Sequence, residues 1–89
     1  MKVSVDISMY PLHEDYCQPI IEFIAALEKE PSVQIERNSM STHIYGNYAP
    51  VMALLNREML KALQTLPQTV FVLKLLGTDR QKANIRACE

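Results

Sequence analysis

The chain is poor in the residues that most often announce chemistry. Its 89 residues hold two glycines (Gly46, Gly77), two cysteines (Cys17, Cys88), two histidines (His13, His43) and no tryptophan. Glycines so far apart cannot build a glycine-rich phosphate loop, which needs several within one turn. Cys17 and Cys88 form no C-x-x-C pair, which leaves Cys17 as a small apolar side chain and Cys88 as a tail thiol. Two histidines without paired cysteines fall short of a closed zinc site. Charge of one sign is lacking as well, because nine Lys and Arg face ten Asp and Glu for a formal charge of -1. A general nucleic-acid binder needs a basic face to offset phosphate charge, so that class is set aside. No apolar run approaches the ~20 residues that span a bilayer. The N-terminus alternates instead of forming the apolar core of a signal peptide. The expectation is a cytoplasmic protein with no nucleic-acid partner, no membrane insertion, no metal and no cofactor.

What is present reads as one small folded domain. Hydrophobic residues make up 48% and charged residues 21%, without low-complexity runs. Such a composition suits a globular core, although a domain this small buries only about two-thirds of its unfolded surface. From Lys2 to Tyr10 the pattern alternates strictly, with Val3, Val5, Ile7 and Met9 on one face and Lys2, Ser4, Asp6, Ser8 and Tyr10 on the other. Period-two alternation marks a half-buried strand, and Pro11 stops it. Asp15 is a candidate N-cap for a helix carrying Ile20, Phe23, Ile24 and Leu27, widened by Ile21 and Ala25 and ended by Pro31.

Val33 and Ile35 begin a second strand, a turn lies within 37–42, and His43-Ile44-Tyr45 continue as a third. The register of this hairpin stays open to at least one residue, since its tip has no glycine. Gly46 releases the chain into a second helix with Asn47 as candidate cap and Pro50 in the first turn. Its stripe is Val51, Leu55, Met59, Ala62, Leu63 and Leu66. Thr69 to Leu76 form a fourth strand, apolar on both faces except Lys74.

The order β-α-β-β-α-β predicts an α+β, ferredoxin-like sandwich with antiparallel sheet order 4-1-3-2 and both helices on one face. The domain spans 1–77, and 78–89 form a polar tail that is either disordered or packed on a partner subunit. The helices cover Val3, Val5, Ile7 and Met9. The other face holds Ser4, Asp6, Ser8, Tyr10, His43 and Tyr45, with Val70 or Phe71 alongside. An uncovered face of that kind is commonly buried against a second copy, which predicts a homodimer or homotetramer.

The topology also brings the end of the first strand beside the start of the third. Ser8 and Tyr10 then lie near Ser41 and Thr42, with Asn38 and the His13 loop at the same edge. Apolar walls with a few placed polar groups describe a ligand pocket. Asn38 and Ser39 also suit turn residues that bond their own backbone. No nucleophile–histidine–acid set is specified, and Asp6 is the single carboxylate on its face, free to pair with Lys74 or Lys2. His43 reads as a strand histidine facing an interface.

Three segments carry a family resemblance: Ile7-Ser8-Met9-Tyr10-Pro11-Leu12, then Tyr16 with Pro19-Ile20-Ile21 and Phe23-Ile24, then Ser39-Met40-Ser41-Thr42-His43-Ile44-Tyr45-Gly46. In order and spacing they resemble the thiamine/hydroxymethylpyrimidine-binding YkoF-like family and the small MTH-type thiamine-binding proteins related to it. The resemblance covers positions 3 to about 76. It implies a ferredoxin-like fold, no enzymatic activity, and thiamine or a related pyrimidine as ligand. It places ligand contacts at Ser8, Tyr10, Ser41 and Thr42, and we add Asn38, His43 and Tyr45 to the candidate set. Two domains lie in tandem in the better-known members, so a single-domain chain must assemble at least a dimer to match them. The leading expectation is therefore a non-catalytic binding protein in thiamine salvage or transport. A ferredoxin-like dimeric enzyme acting on a small heterocycle and a pure protein-association module are the alternatives.

Overall fold

The elements run β1 (Lys2–Pro11), α1 (Cys17–Glu28), β2 (Val33–Arg37), β3 (Thr42–Asn47), α2 (Tyr48–Thr65) and β4 (Thr69–Leu76). They come from a computed structural model whose described residues are 1–81. The sheet order is β2-β3-β1-β4, which is 4-1-3-2 read from the other edge, and every neighbouring pair is antiparallel. This is the expected α+β ferredoxin-like sandwich. None of the described helices is long and apolar enough to cross a membrane.

Register explains which side chains are buried. Val3 stands opposite Gly46, Val5 opposite Ile44 and Leu75, and Ile7 opposite Thr42 and Leu73. These β1 residues, at most 2% exposed, pack with Ile44, Phe23, Leu27, Val51, Leu54 and Leu55 beneath the two helices. Met9 and Phe71 extend the core at its edge, where the Phe71 and Phe23 rings meet at 5.2 Å. Phe71 therefore belongs to the helix side, and Val70 is the open-face neighbour of Tyr10.

Local readings are corrected in several places. Tyr16, not Asp15, is the N-cap of α1, and it makes no side-chain capping bond. The Asp15 N–H instead donates to His13 Nδ1 at 3.1 Å. Asn47 does cap α2, again without a side-chain bond, and the Tyr48 N–H is satisfied by the Met1 carbonyl at 2.8 Å. The buried stripe of α2 is Val51, Leu54, Leu55 and Glu58, while Leu63 is exposed. Glu58 tolerates burial because Arg57 Nε donates to its Oε2 at 2.8 Å and Lys61 Nζ lies 3.7 Å away. On α1, Ile21 and Ala25 face solvent, as does Cys17. The reading of Cys88 as a tail thiol falls outside the described residues.

Gly46 lies inside β3 and does not end it. A Cβ there would sit 3.3 Å from Val33 Cγ1 and from Val51 Cγ2, and 3.4 Å from the Ser32 carbonyl. Glycine lets β3 and α2 approach closely. Gly46→Val should therefore overpack this junction and cost about 1–3 kcal/mol. Urea unfolding followed by circular dichroism should show a lower midpoint, and an unchanged one would refute the close-approach account.

Candidate functional site

The β2–β3 hairpin fixes one wall of the site. Arg37 pairs with Thr42, so residues 38–41 form the tip. The Asn38 N–H donates to the Ser41 carbonyl at 3.1 Å, and Asn38 Oδ1 accepts from the Met40 and Ser41 N–H groups at 2.7 and 3.0 Å. Asn38 thus does the work of a turn residue, which pins the tip against the end of β1. Ser8 Oγ reaches the Met40 carbonyl at 3.5 Å across the gap.

Between this tip, the end of β1 and the first turns of α1 lies an open cleft of about 460 Å³. Its strand side is residues 7–12, its hairpin side is residues 38–42, and α1 supplies Tyr16, Ile20, Phe23 and Ile24. That size lies within the range of small-molecule sites. Ser8, Tyr10, Asn38, Ser41 and Thr42 all border it. Tyr10, Leu12, Tyr16 and Met40 are each more than half exposed around it, so apolar surface rims the mouth. The α1 wall was not read from the sequence as part of a site. The signal was available in the short connection after Pro11, which sets the first turn of α1 over the end of β1. A smaller hollow of about 230 Å³ between the helices, lined by Phe23, Glu58, Lys61 and Leu66 among others, gathers none of these hydroxyls.

Ser41 and Thr42 are consecutive on the chain and so point to opposite faces. Thr42 is buried on the helix side opposite Ile7, whereas Ser41 turns to the open side. The cleft touches both because it wraps around the end of the sheet.

His43 and Tyr45 do not line the cleft. They belong to a polar cluster on the open face, where one row runs Glu36, His43, Asp6, Lys74 across the four strands. His43 Nε2 lies 3.3 Å from Ser41 Oγ and 3.6 Å from Asp6 Oδ2, and Nδ1 lies 3.4 Å from the Tyr45 hydroxyl. Asp6 is thus not alone on its face, and its ionic neighbour is His43 instead of Lys74 or Lys2. A serine-hydrolase relay places serine and acid on opposite ring nitrogens. Here both face Nε2, and Nδ1 is occupied by Tyr45.

Tyr45 is buried although it stands on the open face. The chain after β4 accounts for this by returning over the sheet. Ser4 Oγ donates to the Thr78 carbonyl at 2.7 Å and accepts the Arg80 N–H at 2.8 Å, and Gln81 Nε2 donates to Glu36 Oε1 at 3.3 Å. Burial, followed by the charges of Glu36, Asp79 and Asp6, holds the Tyr45 phenol above its ordinary pKa. The start of the tail therefore covers its own sheet, and residues 82–89 lie outside the described residues. Among the described residues no group of three or more His, Cys, Asp or Glu could hold a metal ion.

Comparison with known proteins places this geometry in context. The model of the YKOF-related family matches residues 2–75. Among solved structures, a Streptococcus pneumoniae protein superposes with a TM-score of 0.83 at 19% identity, over 100% of both chains. A putative thiamine biosynthesis/salvage protein from Thermotoga maritima gives 0.78 at 19% identity, over 99% of this chain and 95% of that one. A domain of unknown function from Bacillus cereus gives 0.74 at 14% identity, over 98% and 86%. At these identities the structures speak for the fold. No curated protein matches the chain by sequence.

Proposed function

The chain belongs to the YKOF-related family, and from that premise we propose that it binds thiamine, or the hydroxymethylpyrimidine part of it, without changing it chemically. It would serve thiamine salvage or transport in the cytoplasm as a homodimer or homotetramer. The observation that carries the reading is the cleft, where Ser8, Tyr10, Asn38, Ser41 and Thr42 meet apolar walls at the end of β1. The salvage role named for the Thermotoga maritima neighbour supports the same ligand class.

The chemistry fits. An aminopyrimidine ring presents adjacent donors and acceptors, which hydroxyl and amide groups satisfy in pairs. The permanently cationic thiazolium is attracted to the face of a tyrosine by about 0.5–2 kcal/mol. Among the described residues Ser41–His43 proximity is a feature favouring an enzyme, and the shared nitrogen described above speaks against a hydrolytic relay.

Titration calorimetry tests the proposal. Wild-type protein should bind thiamine and hydroxymethylpyrimidine, and mass spectrometry should recover both unchanged. Ser41→Ala removes a polar partner and should cost about 1–3 kcal/mol, or roughly 5- to 150-fold in affinity. Tyr10→Leu keeps the apolar wall but loses the ring face, so thiamine should weaken more than the neutral pyrimidine. Absence of binding at millimolar ligand rejects the function, and conversion of the ligand rejects the non-catalytic role. Binding that neither variant disturbs rejects the cleft as its place.

A further inference from the structure

We infer that the cleft takes the unphosphorylated ligand and turns away its phosphate esters. The inference rests on the binding function proposed above and concerns which chemical form enters. None of the described residues lining the cleft carries a charge. Phosphate recognition relies on Arg or Lys side chains, or on backbone N–H groups at a helix N-terminus or in a turn nest. Each source is poorly supplied here. Arg37 stands opposite Thr42, but its guanidinium faces Glu28 at 3.9 Å. The N-terminus of α1 adjoins the cleft at Tyr16, yet its third residue is Pro19, which has no N–H to offer. Glu14 and Asp15 are exposed on the short loop between Leu12 and Tyr16, both of which line the cleft, so the loop bordering the cleft carries two acidic residues. The turn N–H groups of Met40 and Ser41 are already bonded to Asn38 Oδ1.

A neutral pyrimidine loses nothing in such a place, and a thiazolium cation meets tyrosine faces and acidic neighbours. A phosphate or diphosphate must give up hydration with no cation among the described lining residues to replace it, which disfavours entry.

The test compares hydroxymethylpyrimidine, thiamine, thiamine phosphate and thiamine diphosphate by calorimetry on the full chain. Thiamine and the pyrimidine should bind within about tenfold of each other, and the diphosphate at least about tenfold more weakly than thiamine. A second arm adds the missing cation. Met40 is 83% exposed on the hairpin tip and borders the cleft, so Met40→Lys should leave the fold intact. That variant should raise the ratio of diphosphate affinity to thiamine affinity about tenfold or more, a readout that a general change at the cleft rim would not move. Equal affinity of the wild type for thiamine and its diphosphate overturns the inference and leaves the binding function standing. No gain in Met40→Lys also overturns it. If no form binds, the binding function falls and the inference falls with it.

Discussion

Replacing Ile7 by Asp is expected to abolish the folded domain. Ile7 is 2% exposed at the middle of β1, between Thr42 on β3 and Leu73 on β4, and it faces both helices. A carboxylate there has apolar neighbours and no cation. Leaving an unpaired charge in such a site costs several kcal/mol. The total stability of a small domain is about 5–15 kcal/mol, and a chain of this size sits toward the lower end. One substitution therefore consumes most of the margin. Circular dichroism and urea titration should show loss of the cooperative transition. Ser8→Asp is the control, because the adjacent position points to the open face and should keep the transition. If Ile7→Asp still unfolds cooperatively with a midpoint near that of the wild type, the assignment of the helix-covered face is wrong.

The strength of that expectation reflects how plainly β1 is written. Strict alternation from Val3 to Met9 has one physical reading, and the register bears it out by placing Val3, Val5 and Ile7 in the core. β4 was equally legible: its bounds, Thr69 to Leu76, follow from Pro67 before it and Gly77 after it. Helix stripes were harder. A run such as Val51 to Leu66 carries apolar residues on more than one face, so periodicity alone admits Leu63 and passes over Leu54. The buried Glu58 was invisible for a related reason, since its partners Arg57 and Lys61 compensate it only once the helix exists.

At the site, convergence of Ser8, Tyr10, Asn38, Ser41 and Thr42 followed from topology. Their division between faces did not, because a one-residue uncertainty in hairpin register exchanges the two sides of a strand. Tyr45 was the least accessible to sequence reasoning. Its burial depends on residues 78–81 returning to Ser4, a contact between positions more than 70 apart with no local pattern to announce it.

Val72→Lys is expected to convert an assembled protein into monomers. Among the described residues β4 is an edge strand, paired with β1 on one side and with no strand on the other. Natural edges are guarded by charge, proline or brevity, whereas β4 is eight residues long with Lys74 as its single charge. Its side chains are equally unguarded. Val70, Val72 and Leu76 project from the open face, and Leu73 and Leu75 from the other, each between 39% and 52% exposed. Tyr10 adjoins Val70 and continues the patch. The apolar part of the open face therefore lies along β1 and β4, while the β2–β3 part is partly covered by the chain's own tail. The proposed homodimer or homotetramer would bury this surface through sheet extension, face packing or both. Val72 is central to it, and in a two-fold interface the substitution acts twice. Burying two ammonium groups should weaken association by more than about 100-fold. Light scattering at micromolar concentration should give at least twice the 10.2 kDa of one chain for the wild type and a single chain for the variant. Circular dichroism should be unchanged, because Val72 is half exposed and outside the core. A monomeric wild type would remove the assembly altogether. A variant that stays assembled would move the interface off β4.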